Sequence, residues 1–201
     1  NLRDNSFYND FKFPWRFILL GCFISLYFVL MFEGLKTAKP VSMSVVFTLT
    51  PLLAGLFDYL LSGRKMSQRV LFAIIIGGFG AIWIIFEGDV GKLLRLDVGR
   101  GEVLFLIGCT GHAIYAALIP RLNKGETPLA QTLGTLMACA LILALLGSNS
   151  ISSTEWIFLP PLIWLVIIYL AVFATAASFF LIQFAATRLS SVKVMAYTYA
   201  I

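Results

Sequence analysis

The sequence predicts an all-α polytopic membrane protein, on three observations. Hydrophobic side chains make up 60% of its 201 residues and charged ones only 12%, where soluble domains carry about 25% charged residues. Six stretches reach the roughly 20 mostly apolar residues that a spanning helix needs: 15 to 37, 41 to 62, 67 to 87, 102 to 122, 128 to 147 and 160 to 187, with a seventh beginning near Val192. Between them stand short runs such as "SGRKMSQR" and "RLNKGETP", rich in turn and charged residues and too short for a soluble domain.

The first span carries Glu33 one turn from its outer end, with Lys36 three residues on. A carboxyl inside a membrane is a candidate for proton coupling, and an i, i+3 pair with Lys36 explains it equally well. Both readings stay open.

The second span holds Ser44, Thr48, Pro51, Gly55 and Asp58 at steps of four, three, four and three. Such steps put side chains on one face of a helix, so the span reads as a lipid-facing surface backed by a polar stripe. Pro51 lacks the N–H that would bond the Phe47 carbonyl and predicts a kink there. Two readings of the stripe compete: the wall of a cavity, or close packing by small residues. Val45 is expected to face away from it. Asp58, toward the end of the span, also has Arg64 and Lys65 within reach for an interfacial pair.

In the third span Ala73, Gly77 and Ala81 have small-xxx-small spacing, which predicts helix packing. The fourth holds the single histidine, His112, on one face with Gly108 and Tyr115. It suits either one interhelical hydrogen bond or contact with a solute. No second ligand stands at metal-binding spacing, so no metal site is expected. The sixth span places Gln183 beside Phe179 and Phe180, and Tyr197 and Tyr199 open the seventh. Aromatic rings with one amide suit a cavity for a small amphipathic solute, and they pack equally well without one.

If successive loops alternate sides, the N-terminal segment and the second, fourth and sixth loops hold ten basic residues and the other loops five. The basic-rich set is expected in the cytoplasm. The net charge of +5 is scattered over these loops, which argues against a nucleic-acid partner. Cys22, Cys109 and Cys139 each sit in an apolar run and read as buried thiols.

Offset by 152 positions, "FVLMFEGLKTAKPVSMS" from Phe28 lies over "FLIQFAATRLSSVKVMA" from Phe180, matching Phe28 with Phe180, Phe32 with Phe184, Lys36 with Arg188 and Met43 with Met195. The two copies fall on opposite sides of the alternation, the pattern of inverted repeats in secondary transporters. The stretch from Leu35 to Phe86, "LKTAKPVSMSVVFTLTPLLAGLFDYLLSGRKMSQRVLFAIIIGGFGAIWIIF", resembles the closing part of an EamA domain of the drug/metabolite transporter superfamily. "GRGEVLFLIGCTGHAIYAALIPRLNKGETP" and "LAVFATAASFFLIQFAATRLSSVKVMAYTYA" resemble the start and middle of a second copy. One departure stands out: Gly63 is followed by Arg64, where the family usually has a glutamate.

The resemblance implies ten helices in two inverted five-helix repeats with cytoplasmic termini. On that mapping 1–90 is the C-terminal part of the first repeat, with the third to fifth helices, and 91–201 the N-terminal part of the second, with the sixth to eighth helices and the start of the ninth. Together they form one membrane domain. The family's third, fourth, sixth, eighth and ninth helices line a central cavity, which makes Ser44, Thr48, Pro51, His112, Tyr115, Gln183, Tyr197 and Tyr199 candidate cavity residues. Glu33, Lys36 and Asp58 are candidates for coupling or ion pairing. The chain opens on Asn1 and closes inside an apolar run, so a parent of roughly 290 to 300 residues is expected from the repeat period.

The function expected is secondary transport, outward, of a small organic metabolite, amino acid or drug across a bacterial cytoplasmic membrane. Its partners are the lipid bilayer and a small-molecule substrate, and no cofactor is implied. A non-transporting sensor or scaffold is the alternative. An intramembrane enzyme using His112 and Glu33 is a further one, although no nucleophile motif, metal pair or phosphate loop is present.

Overall fold

The computed structural model describes residues 14–63, 67–86, 88–91 and 99–197. Within them the chain is helical: α1 (Trp15–Leu35), α2 (Pro40–Phe47), α3 (Thr50–Ser62), α4 (Gln68–Ile85), α5 (Arg100–Leu122), α6 (Pro128–Leu146), α7 (Ser148–Ser153), a 3-10 turn (Trp156–Phe158), α8 (Pro161–Tyr169), a π-helix (Leu170–Ala177), α9 (Ser178–Ala186) and α10 (Ser191–Ala196). Five stretches among the described residues are long and apolar enough to cross a membrane: Trp15–Leu35, Pro40–Leu61, Arg100–Leu122, Pro128–Leu146 and Pro161–Ala186. The predicted span from 67 to 87 is also a helix, the 18-residue α4. The protein is an integral, multi-pass membrane protein.

Two predicted spans are not simple rods. The second breaks at Thr48 and Leu49, whose N–H groups bond the Val45 and Val46 carbonyls at 3.0 and 3.1 Å, a tighter i to i−3 winding. Pro51 then sits in the first turn of α3, where a missing N–H leaves nothing unpaired. The sequence located the disturbance at Pro51, and the chain takes it up three residues earlier. The sixth span is α-helical at both ends and wound as a π-helix across Leu170–Ala177, which hydropathy does not distinguish.

The core forms where α1 lies against both α5 and α6, and where α3 packs on α5 and α10. Glycine permits the closest of these crossings. A Cβ on Gly101 of α5 would stand 2.5 Å from the Gly34 carbonyl oxygen of α1, nearer than such atoms approach in proteins, so any larger residue would push α1 away. The buried centre is Leu20, Ile24, Ala113, Tyr115, Ile119 and Met195. By contrast α8 and the π-helix bury no side chain among the described residues. Their exposed Leu, Ile and Val residues suit contact with lipid.

Two irregularities in the helices are closed by neighbouring side chains. Pro120 lies inside α5 and has no N–H for the Ala116 carbonyl. The Ser191 hydroxyl, from the start of α10, donates to that carbonyl at 3.1 Å instead. At the same end, Arg16 Nη1 donates to the Leu122 carbonyl at 2.6 Å. Arg16 Nη2 pairs with the Glu126 carboxylate, both side chains being almost fully buried. These bonds bring the start of α1, the α5–α6 loop and the α9–α10 loop to one end of the bundle, while Gly34 meets Gly101 at the other. Loops that the alternation puts on one side thus lie together.

Candidate functional site

A cavity of ≈ 1290 Å³ opens between α1, α2, α4, α5 and the segment from Tyr169 to Ile182. The apolar face of each helix supplies the wall: Tyr27 and Phe28 from α1, Met43 and Phe47 from α2, Phe105 from α5, Phe173 from the π-helix. Among the described residues its polar members are Tyr27, Ser44, Thr48, His112, Tyr169 and Ser178, and no Asp, Glu, Lys or Arg lines it. Gly77 and Gly80 of α4 border it, and a Cβ at either would meet nothing within 4 Å. The small-residue run of the third span therefore faces open space at Gly77, where helix packing was expected.

Of the predicted cavity residues, Ser44, Thr48 and His112 line this space. Ser44 Oγ donates to the Pro40 carbonyl at 3.0 Å and Thr48 Oγ1 to the Val45 carbonyl at 2.6 Å, so both hydroxyl protons stay on their own helix. Val45, expected to face away, lines the cavity too.

Pro51, Tyr115, Gln183 and Tyr197 are not brought to it. The break at Thr48 and Leu49 changes the phase of the helix, so Pro51, Gly55 and Asp58 are buried as α3 packs on α5 and α10. The stripe divides accordingly: its first two members face the cavity and the rest are packing. Tyr115 is fully buried and its hydroxyl accepts a 3.0 Å bond from Gln183 Nε2, which ties α5 to α9 behind the cavity wall. Tyr197 is 68% exposed, and Tyr199, Arg64 and Lys65 lie outside the described residues. Glu33 accepts from Lys36 Nζ at 2.6 Å with both side chains at least half exposed, the helix-end pair rather than an enclosed carboxyl.

His112 is 4% exposed. Aromatic rings surround it: Tyr27 at 4.7 Å between centroids, Phe47 at 5.8 Å and Tyr115 at 6.0 Å. Neither imidazole nitrogen has a hydrogen-bond partner among the described residues. A polar group so placed is costly, and buried polar groups without partners are uncommon enough to need a reason. Sequence reasoning found His112 by its rarity but missed Tyr27, Phe47 and Phe105, because aromatic residues in apolar spans give no signal until the fold gathers them. It also missed α4 as part of the wall. Among the described residues, no group of three or more His, Cys, Asp or Glu could hold a metal ion.

Residues 3–86 match the EamA-like transporter family. The chain is also similar to the uncharacterized transporter YyaM of Bacillus subtilis (strain 168), 25% identical over 153 residues. That match covers 75% of this chain and 49% of the relative, so it spans about half the relative's length. No solved structure matches.

Proposed function

With residues 3–86 matching the EamA-like transporter family, and a curated relative that is named a transporter, we propose that the whole protein is a secondary transporter moving a small organic solute outward across a bacterial cytoplasmic membrane. The observation that carries this reading is the ≈ 1290 Å³ space between five helical segments, large enough for a metabolite and lined by rings with a few polar groups. The breaks in its walls at Thr48 and at the π-helix are what a moving wall needs. Two inverted five-helix repeats rocking about the cavity would expose it to each side in turn, as the internal match between Phe28 and Phe180 suggests. The count of basic residues in the sequence supports a cytoplasmic side for the N-terminal segment and the α3–α4 loop. The relative's name favours transport over a sensor, scaffold or enzyme.

The test is flux. The full-length protein in proteoliposomes should accumulate at least one solute from a metabolite panel against a preset gradient and show counterflow with unlabelled solute. Liposomes that take up none of the panel, with correctly inserted protein, would overturn the reading.

A further inference from the structure

We infer that the solute recognised here is uncharged and ring-bearing, held flat among the cavity's aromatic side chains and anchored by a hydrogen bond to the His112 imidazole. This deepens the transporter reading and rests on it for its meaning as cargo.

Charge is the first argument. No Asp, Glu, Lys or Arg stands among the described lining residues, and an ion moved among them loses hydration with no counter-charge from them to replace it. Shape is the second. Tyr27, Phe28, Phe47, Phe105, Phe173 and Phe179 present rings to one space, and rings favour offset or edge-on contact with other rings.

The third argument is the unspent hydrogen bond. Ser44, Thr48 and Ser178 already give their protons to carbonyls of their own helices. His112 lines the same space with both nitrogens unpartnered among the described residues. A neutral imidazole offers one donor and one acceptor. A ring N–H or phenolic O–H on the solute would satisfy the acceptor. The Tyr27 and Phe47 rings now flank the imidazole at 4.7 and 5.8 Å between centroids, and one of them turns aside as the solute ring takes its place.

Four probes that share the indole ring system separate these terms: indole, which is neutral with a ring N–H; 1-methylindole, which lacks it; tryptamine, a cation; and indole-3-acetate, an anion. Titration calorimetry on the full-length protein in detergent should show saturable indole binding, with the other three each weaker by roughly tenfold, the worth of one buried hydrogen bond or more. His112→Phe, which keeps a ring, should weaken indole roughly tenfold and leave 1-methylindole unchanged. His112→Gln, which keeps a donor and an acceptor, should retain the preference for indole.

Equal affinity for indole and 1-methylindole overturns the inference, as does tighter binding of either charged probe or no saturable indole binding. Tighter tryptamine would mean that the rings serve as a cation cage. Because the unmodified protein alone gives the probe ranking, a variant that fails to fold does not rescue the idea. Flux is read separately: an indole preference without flux of any solute supports the recognition and sinks the transporter reading, while flux of an ionic solute without an indole preference does the reverse.

Discussion

Arg16, in the first turn of α1, is buried against Glu126 of the α5–α6 loop, and the same guanidinium bonds the Leu122 carbonyl at the end of α5. One side chain therefore joins the start of one spanning helix to the turn between two others. Removing one partner leaves the other charge buried and alone. Glu126→Gln should destabilise the full-length protein by about 3 kcal/mol, read from thermal unfolding in detergent. Replacing both, as Arg16→Met with Glu126→Leu, should cost less than the single change. A double variant that loses as much as the sum of its parts would show that the two residues are not coupled.

Acid should weaken the same lock. Burial alone would raise the Glu126 carboxyl, but the Arg16 hydrogen bond and the Lys124 N–H at 2.6 Å outweigh it and hold it below the usual carboxylate range. A group depressed in the folded state gives stability that is complete above its unfolded pKa and is lost as pH falls through the folded one. The stability gap between the unmodified protein and Glu126→Gln should be widest near neutral pH and narrow progressively on acidification below the ordinary glutamate range. A gap unchanged by acid would contradict this.

The Ser191 hydroxyl stands in for the N–H that Pro120 lacks. Ser191→Ala should cost roughly 1 kcal/mol, since it strands the Ala116 carbonyl. In a Pro120→Ala background the helix supplies its own donor, and the same change should cost distinctly less. A double-mutant cycle on unfolding measures the difference, and equal costs in the two backgrounds would show that the serine acts in some other way.

Thr48 lines the cavity, and its hydroxyl donates to the Val45 carbonyl at 2.6 Å. Thr48→Val should therefore weaken transport of a solute with a donor group by roughly 0.5 to 1.5 kcal/mol in apparent affinity and leave a donor-free solute unchanged. Leu56→Thr, at an exposed position on α3, is the control, because Val45 shares the cavity wall. Equal effects on both solutes would mean that the hydroxyl acts on the helix rather than on the cargo.

The spans were legible because composition over some 20 residues is a strong signal, and the Glu33–Lys36 pair because i, i+3 spacing is local. What escaped depends on neighbours distant in sequence. Arg16 reads as a loop charge until Glu126 is beside it. Tyr115 and Gln183 both read as cavity residues, and the fold spends them on each other. Pro51 announced a break, yet the position at which the helix yields is decided by how α3 must lie on α5 and α10. Hydropathy sees His112 as one polar residue, and only packing reveals that its nitrogens are unpartnered among the described residues.

The π-helix at Leu170–Ala177 carries one more residue in each hydrogen-bonded turn than an α-helix does. It works like a slipped thread on a screw. Tightening it to α winding would lengthen the segment and rotate whatever lies beyond it. Phe173 and Ala174 would swing relative to Ser178 and Phe179, changing which side chains the cavity meets. Deleting Ala171 removes the surplus residue and should leave the protein folded, as judged by its unfolding temperature, while altering the ranking of the solutes it carries. An unaltered ranking would mean that the winding is idle.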